Sequence, residues 1–314
     1  MNYAELHLHL EGSIDAPTLR EIDPAVTAGE IAAMYDYSDF EGFMRAFVWV
    51  NRKLRSPCDY ALAARRLFER LEREDIRYAE VTLSAGVVLW KKQDLSAVFD
   101  ALSREACQAR IKVRWILDAV RQWGAEAAEP VFEFAASRVG DAPDRVIAIG
   151  LGGFEEQGPA RWFRQQFARA RDRGLRLTCH AGETTGPQAV WDALEIGAER
   201  IGHGIRAIED AALVEHLRER AIPMEVCVTS NVRTGAVANV REHPLRKLFD
   251  AGIPVVLNTD DPALFGCTLA GEYELARREF GFSEEELARL AANSLRYSFG
   301  QPAPPCPTPP APAR

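Results

Sequence analysis

Two histidines separated by one residue, His7 and His9, are the first side chains in this chain that could bind a metal. They belong to the mostly apolar run 4–10, whose pattern is typical of a β-strand. Successive side chains of a strand alternate faces, so both imidazoles point the same way. Imidazole nitrogens are common ligands of Zn²⁺, and the pair could therefore supply half of a metal site. The ordinary alternative is a half-buried strand with two unrelated histidines.

Further candidate ligands follow apolar, β-prone segments later in the chain. His180 begins His-Ala-Gly-Glu at 180–183, and His203 closes Arg-Ile-Gly-His at 200–203. The pair Asp260 and Asp261 follows the apolar segment 255–257 in Asn-Thr-Asp-Asp-Pro at 258–262. Each residue alone has a structural explanation, as a core histidine, a turn residue or the polar start of a turn. A shared site requires a fold that brings these segment ends together.

The order of the elements predicts such a fold. Eight β-prone segments alternate with helical patterns, at about 4–9, 78–84, 113–120, 146–151, 176–181, 200–203, 224–229 and 254–259. Eight strands with intervening helices are typical of a (β/α)8 TIM barrel of the α/β class. The carboxyl ends of barrel strands meet at one mouth, which would gather His7, His9, His180, His203 and Asp260 despite their separation in sequence.

One connection of the predicted barrel is unusually long. About 65 residues separate the first strand from the second, far more than a βα unit needs. We expect an inserted helical cap at about 15–56, before a first barrel helix whose apolar spacing begins at Tyr60. The cap contains an apolar cluster, which comprises Phe40, Phe43, Met44, Phe47, Trp49 and Val50. These side chains either line a substrate pocket or only pack the extra helices. The same two possibilities hold for Trp90, which follows the second strand.

Length and composition indicate one domain, 1–300, followed by a disordered tail rich in proline and alanine, 301–314. The formal net charge of -8 argues against nucleic acid or an anionic membrane as the main partner. No segment has the length of an apolar membrane span, and no signal peptide is evident, so we expect a cytoplasmic protein. The six cysteines form no C-x-x-C pair, which predicts reduced thiols rather than a cysteine metal site.

Three imidazoles and one carboxylate suit Zn²⁺ with a position left open for water. The H-E-x-x-H motif of zinc peptidases is absent, and so is the P-C-x-x-C motif of the cytidine deaminase type. No lysine ends the fourth predicted strand to bridge two metals. The pattern therefore predicts one Zn²⁺ per chain.

These residues lie in a series of motifs that resembles the adenosine deaminase branch of the amidohydrolase superfamily. The resemblance extends from Glu5 to about Phe299 and is carried by the whole series in order. The motifs are Glu-Leu-His-Leu-His-Leu-Glu-Gly at 5–12, Leu-Gly-Gly at 151–153, His-Ala-Gly-Glu at 180–183, Ile-Gly-His-Gly at 201–204, Thr-Ser-Asn at 229–231 and Asn-Thr-Asp-Asp-Pro at 258–262.

The resemblance implies a metal-dependent hydrolase that replaces the 6-amino group of a purine by oxygen. Its implied Zn²⁺ ligands are His7, His9, His180 and Asp260, and the metal would lower the pKa of a bound water toward 7. His9 would then also border the substrate, and Asp260 would also take part in catalysis.

The resemblance also implies roles around the purine ring. His203 would orient or deprotonate the water, and Glu183 would donate a proton to N1, which requires a raised carboxyl pKa. Asp261 would hydrogen-bond N7, and the backbone N–H of Gly153 would reach N3. Glu11 would contact the ribose side of the substrate.

The departures from the family pattern bear on the substrate. Glu11 stands where vertebrate-type adenosine deaminases have aspartate, and the segment 82–90 matches neither the adenosine nor the adenine deaminase pattern. An apolar loop ending in Trp90 could accept a substituent beyond ribose. We therefore place 6-amino-6-deoxyfutalosine, an intermediate of an alternative menaquinone route, ahead of adenosine and free adenine.

Two alternatives remain open from the sequence. A mononuclear zinc hydrolase could act on a C–N bond of a non-purine, and Glu183 and Asp261 would then be dispensable. A barrel that binds nucleosides without turning them over would be expected to lack a ligand or the proton donor, and neither is missing. The sequence leaves the oligomeric state open, as well as the choice of zinc, iron or cobalt.

Overall fold

The computed structural model describes residues 3–300, which form a nearly closed barrel of eight parallel strands surrounded by helices. The strands lie in sequence order around the barrel. Their bounds are β1 Tyr3–His9, β2 Ile76–Leu83, β3 Lys112–Val120, β4 Val146–Gly152, β5 Arg176–Ala181, β6 Arg200–His203, β7 Met224–Val226 and β8 Val255–Leu257. The predicted (β/α)8 barrel is confirmed.

The barrel closes between its last and first strands at a candidate metal ligand. The backbone N–H of His9 donates to the carbonyl of Asp260 at 2.8 Å, and the N–H of Asp260 donates to the carbonyl of His7 at 3.0 Å. On the opposite side, β4 and β5 share only two residue pairs. The seam between β8 and β1 thus places His7, His9 and Asp260 side by side.

Fifteen α-helices surround the strands in the described part of the chain. They are α1 Ala16–Ile22, α2 Ala28–Tyr35, α3 Phe40–Asn51, α4 Pro57–Arg73, α5 Ala85–Trp90, α6 Leu95–Gln108, α7 Gly124–Ser137, α8 Arg164–Asp172, α9 Pro187–Glu195, α10 Ala211–Glu219, α11 Val228–Arg233, α12 Leu245–Asp250, α13 Pro262–Phe265, α14 Leu269–Phe280 and α15 Glu284–Arg296. Short 3-10 helices lie at Glu11–Ser13, Arg121–Trp123, Glu155–Gln157, Ala160–Phe163, Ile205–Glu209 and Val240–Glu242. None of the helices in residues 3–300 combines the length and apolar character needed to cross a bilayer.

The long connection after β1 contains three helices, α1 to α3, before the amphipathic helix α4. Each begins at a side chain that accepts a backbone N–H of the first turn: Asp15, Thr27 and Asp39. Such caps satisfy donors that have no partner within the helix. In α3, Phe43 is buried and packs against Phe265 with 5.0 Å between ring centroids, which holds α3 over the barrel mouth.

Two predicted strand ends are wrong. The seventh strand ends at Val226 rather than at 229, because the carboxylate of Glu272 accepts the N–H groups of Val228 and Thr229 and caps α11 there. The eighth strand ends at Leu257 rather than at 259. The final helix ends at Arg296, and the N–H of Phe299 donates to Glu80 at the base of the barrel. The predicted disordered tail, 301–314, lies outside the described residues.

Candidate active site

Four side chains at the carboxyl ends of β1, β5 and β8 converge on one point. Nε2 atoms of His7 and His9 each lie 3.3 Å from Oδ1 of Asp260, and Nε2 atoms of His9 and His180 are 3.2 Å apart. One ligand atom from each of the four residues lies within 4.8 Å of the others. The structure thus brings together all four ligands predicted from the sequence.

The donor set fits a metal ion. Nδ1 of His7 is 2.8 Å from Oε2 of the buried Glu225, so it carries the proton that this hydrogen bond needs. Nε2 of His7 then presents a lone pair, is buried, and makes no hydrogen bond. Burial and the neighbouring imidazoles hold the pKa of His180 well below its usual range, leaving it neutral. Although burial opposes ionisation, His7 and His9 hold the pKa of Asp260 well below its ordinary value.

Two of these strand ends have a backbone conformation that is unfavourable for residues with a Cβ atom. His203 has φ of 62° and Asp260 has φ of 64°, both in the left-handed region. Sparsely populated conformations of this kind persist only where surrounding contacts enforce them, and they concentrate at functional sites. For Asp260 those contacts are the backbone hydrogen bonds that close the barrel.

Glu183 and His203 lie next to the ligand cluster and face each other. Oε2 of Glu183 is 3.5 Å from Nε2 of His203. Burial, with the charges of Asp260 and Glu155, raises the pKa of Glu183 to about 8, so the carboxyl holds its proton at neutral pH. Burial lowers the pKa of His203 to about 4, which leaves the imidazole neutral. The pair therefore combines a protonated carboxyl with a neutral imidazole.

Asp261 and Gly153 line the same cavity. Burial and the adjacent Asp260 raise the pKa of Asp261 well above its ordinary value, and its buried Oδ1 has no hydrogen-bond partner. Asp261 leaves no room for a side chain at Gly12, where a Cβ atom would lie 1.6 Å from Oδ1. Gly153 has φ of +105°, and a Cβ atom there would meet the amide oxygen of Gln122 at 2.2 Å.

Glu11 does not line the cavity. It is fully buried, and Oε1 accepts the backbone N–H of Ser84 at 3.0 Å, while Oε2 has no partner. Ser84 does line the cavity. In this conformation Glu11 can therefore influence a ligand only indirectly, through Ser84. A direct contact would require the Glu11 carboxylate to move.

Sequence reasoning missed the residue that holds the loop after β5. The buried carboxylate of Glu155 accepts the N–H groups of Gly182, Glu183 and Thr184 at 2.9, 2.9 and 3.3 Å, and also the hydroxyl of Thr185. Glu155 lies in a different loop, so no local pattern reveals the contact.

A second missed contact joins Asn231 and His243 to the acid–base pair. Nδ2 of Asn231 lies 3.1 Å from Nδ1 of His203 and 3.3 Å from Oε1 of Glu183, and its Oδ1 lies 3.1 Å from Nε2 of His243. The structure places His243 behind Asn231. His216, which lies outside this group, packs against Trp191 on the surface of the barrel.

The sequence does contain a signal for other buried residues that support the site. Ionisable residues in the middle of an apolar barrel strand must be paired, because burying an isolated charge is costly. Glu80 in β2, Asp118 in β3 and Glu225 in β7 are such residues, and all three are buried.

A cavity of about 1170 Å³ leads from this cluster to the surface. Its floor includes His9, His180, Glu183, His203, Asp260 and Asp261. Its upper walls come from the inserted helix α3 and from α5. The five aromatic residues whose placement the sequence left open all line it: Phe40, Phe43, Phe47, Trp49 and Trp90. The insertion therefore shapes the cavity in addition to packing on the barrel.

Comparison with known proteins agrees with this geometry. The chain is 38% identical over 309 residues to an aminodeoxyfutalosine deaminase of Streptomyces avermitilis, covering 94% of this chain and 86% of that protein. The structure of an adenine deaminase of Arthrobacter aurescens superposes with a TM-score of 0.86 at 30% identity, covering 95% and 93% of the two chains. An amidohydrolase of Burkholderia ambifaria, determined with bound zinc, superposes with a TM-score of 0.83 at 25% identity, covering 94% and 85%.

The family model described as adenosine deaminase matches residues 3–303, which include every residue of the cluster and of the cavity floor. The matched range and the deaminase relatives identify the chain as a hydrolytic deaminase, an enzyme. The chain belongs to the adenosine deaminase family.

Proposed function

We propose that this enzyme hydrolyses the 6-amino group of an adenosine-like purine nucleoside, giving the 6-oxo product and ammonia. The observation that carries the proposal is the convergence of four candidate metal ligands with a protonated carboxyl and a neutral imidazole at the base of one cavity. We place 6-amino-6-deoxyfutalosine ahead of adenosine, with free adenine as the alternative.

The metal in this proposal is one Zn²⁺ per chain, held by His7, His9, His180 and Asp260. Support comes from three imidazoles and one carboxylate, which are donors that zinc accepts in tetrahedral sites. When bound, Zn²⁺ supplies a Lewis acid that makes hydroxide available at neutral pH. His9 and Asp260 also border the cavity, where they would contact the reacting end of the substrate.

The chain's own groups then handle protons at the ring. His203, neutral and beside the cluster, would orient the attacking water and stabilise the developing oxyanion. Glu183 would donate its proton to N1, and its raised pKa supports this role. Asp261, with its raised pKa, would donate to N7, while the Gly153 N–H would meet N3. For Glu11 we propose an indirect role, through its hydrogen bond to Ser84.

Two observations support the choice of substrate. The relative with 38% identity is named an aminodeoxyfutalosine deaminase. The cavity of about 1170 Å³ also exceeds the range of roughly 300–1,000 Å³ that is usual for ligand pockets, so it can hold more than a nucleoside. The structural neighbour named an adenine deaminase keeps free adenine as the third candidate.

The test is an ultraviolet deamination assay of the zinc-loaded enzyme. We expect kcat/KM to be highest for 6-amino-6-deoxyfutalosine, lower for adenosine and lowest for adenine. A preference for adenine would contradict the nucleoside assignment. Full zinc content without turnover of any 6-aminopurine would instead favour a zinc hydrolase that acts on a C–N bond of a non-purine.

A further inference from the structure

His180 is a candidate metal ligand that the sheet supports on one side only. β5 pairs with β6 as far as Ala181 and His203. Its pairing with β4 stops earlier, at Ile149 and Leu177, so the ladder between these two strands does not reach His180. A functional side chain must be held close to its productive position by the residues around it. On the β4 side of His180, groups other than the sheet must provide that support.

A buried arginine supports the backbone of His180 on this side. Arg121 directly follows β3 and is fully buried. Its Nη1 donates to the carbonyl of His180 at 2.7 Å, and its Nε donates to the carbonyl of Gly158, in the loop after β4, at 2.7 Å. Burying a charged group is costly unless it is hydrogen-bonded, and these two bonds offset that cost. The Arg121 guanidinium thus joins the end of β5 and the loop after β4 to the end of β3.

A carboxylate of β3 faces the ring of the same histidine. Asp118 is buried, and its Oδ2 lies 3.9 Å from Nδ1 of His180. Nε2 of His180 points to the ligand cluster, so Nδ1 carries the ring proton when Nε2 binds a metal. A metal-binding histidine commonly donates this second N–H to a carboxylate, as His7 can to Glu225. Asp118 is placed to serve His180 in the same way.

Glycines of β4 clear the path between β3 and β5. Gly150 and Gly152 belong to the strand that lies between Asp118 and His180. A Cβ atom at Gly150 would lie 2.0 Å from Oδ1 of Asp118. A Cβ atom at Gly152 would lie 2.9 Å from Oδ2 of Asp118 and 3.8 Å from Cε1 of His180. A side chain at either glycine would therefore push the Asp118 carboxylate away from the imidazole.

We propose that Asp118 and Arg121 are positioning residues for His180, the carboxylate accepting Nδ1–H of its ring and the guanidinium holding its carbonyl. The distance of 3.9 Å is about 1 Å longer than a hydrogen bond, so the bond requires the ring or the carboxylate to turn by that amount. β3, which contributes none of the four candidate ligands, thereby fixes the orientation of a ligand two strands away. The inference rests on the metal site of the proposed function.

The test measures metal binding rather than turnover. Competition with a chromophoric chelator would give the Kd for Zn²⁺, and the visible absorption spectrum of the Co²⁺-loaded protein would report the ligand geometry. We expect Asp118→Ala and Arg121→Gln each to weaken Zn²⁺ binding by about 10–100-fold and to alter the Co²⁺ spectrum. Asp118→Asn keeps an oxygen that can accept Nδ1–H in nearly the same volume, so it should recover part of the lost affinity.

Buried, ion-paired residues away from the ligand cluster provide the matched controls. Arg114 lies at the opposite end of β3, and Asp192 lies in α9. Arg114→Gln and Asp192→Ala should lower the urea midpoint of the metal-free protein without changing the Zn²⁺ Kd or the Co²⁺ spectrum. The proposal is overturned if Asp118→Ala and Arg121→Gln bind Zn²⁺ as the unaltered protein does, or if both controls weaken Zn²⁺ binding to the same extent.

Failure of the proposed function would be distinguishable from failure of this inference. An unaltered protein that binds Zn²⁺ but deaminates no 6-aminopurine would contradict the proposed function, while a weaker Zn²⁺ affinity of Asp118→Ala and Arg121→Gln would still support the positioning role. Deamination by the unaltered enzyme, with Zn²⁺ affinity and Co²⁺ spectra unchanged in both variants, would contradict the positioning role alone.

Discussion

Asn231 fixes the hydrogen-bonding state of the acid–base pair. The backbone N–H of Leu245 donates to Nδ1 of His243, so Nε2 of His243 carries the proton and faces Oδ1 of Asn231. The amide nitrogen of Asn231 must then donate to Nδ1 of His203, which leaves the proton of neutral His203 on Nε2. That nitrogen faces Glu183. Asn231 is thus a positioning residue for both groups.

Replacing the Asn231 amide by a carboxylate should therefore disrupt catalysis without removing the metal. In Asn231→Asp the donor becomes an acceptor, and His203 would favour the other tautomer. We expect kcat to fall by about 100-fold or more, with KM nearly unchanged. Kinetics, together with ¹⁵N NMR of the His203 ring, would measure this. Asn239→Asp, an exposed change, is the control, and an unchanged tautomer with full activity would refute the positioning role.

Glu183→Gln should retain metal and bind substrate but lose most turnover. Glutamine is similar in size but cannot donate a carboxyl proton, and general acid catalysis typically contributes about 10²–10⁴-fold. Steady-state kinetics and metal analysis would establish both properties. The exposed Glu126→Gln serves as control. Undiminished kcat in Glu183→Gln would remove Glu183 from the proposed mechanism.

Asp260→Ala should lower the metal content of the purified protein. The variant loses the carboxylate that lies 3.3 Å from Nε2 of both His7 and His9. Plasma mass spectrometry would quantify bound zinc, with the exposed Asp144→Ala variant for comparison. Full occupancy in Asp260→Ala would count against its role as a ligand.

The loops at the strand ends depend on carboxylates supplied by other elements. Glu155, in the loop after β4, holds three backbone N–H groups of the loop after β5 that carries Glu183. Glu272 of α14 holds the first turn of α11 in the same way, next to Asn231. The helices and loops outside the barrel thus set the positions of side chains on its mouth.

Glu155→Gln should weaken this support. One of its two oxygens would become an amide group facing backbone N–H donors, and leaving buried donors unsatisfied costs about 1–3 kcal/mol. We expect a lower melting temperature and a lower kcat, with metal content retained. Thermal denaturation and kinetics would be compared with those of the exposed neighbour variant Glu156→Gln. Equal values for the two variants would show that the loop holds its position without Glu155.

The barrel interior contains a charge network beneath the ligand cluster. Arg200 pairs with Glu80 and Glu225, each at 2.5 Å, and all three residues are fully buried. Glu225 in turn holds His7. The core of the whole molecule and the orientation of a metal ligand therefore depend on the same arginine.

Arg200→Met should destabilise the entire fold. Methionine fills part of the space but leaves two buried carboxylates without their cation, and breaking a buried pair typically costs about 3–5 kcal/mol. Urea denaturation would show a lower midpoint, with the exposed Arg220→Met variant as control. A midpoint equal to that of the unaltered protein would mean that the carboxylates are neutral or otherwise compensated.

The amino-acid pattern was sufficient for the barrel and the inserted helices, and it gathered the candidate ligands at one mouth; the family resemblance selected four of them as metal ligands. Strand and helix periodicity are local, and the carboxyl ends of parallel strands must meet at one mouth, so the convergence of His7, His180 and Asp260 follows from element order. The family resemblance identified Glu183, in a motif where it follows His180 by three residues.

Other features depended on contacts between distant parts of the chain. Glu225 reaches His7 across 218 positions, and Glu155 reaches Glu183 across 28. The burial of Glu11 behind Ser84 depends on how β2 packs beside β1. Such hydrogen bonds leave no periodic trace in the sequence, because they depend on the three-dimensional packing of whole elements. The sequence therefore specified which groups can perform the chemistry, and the folded chain specified which groups hold them in place and what the cavity can admit.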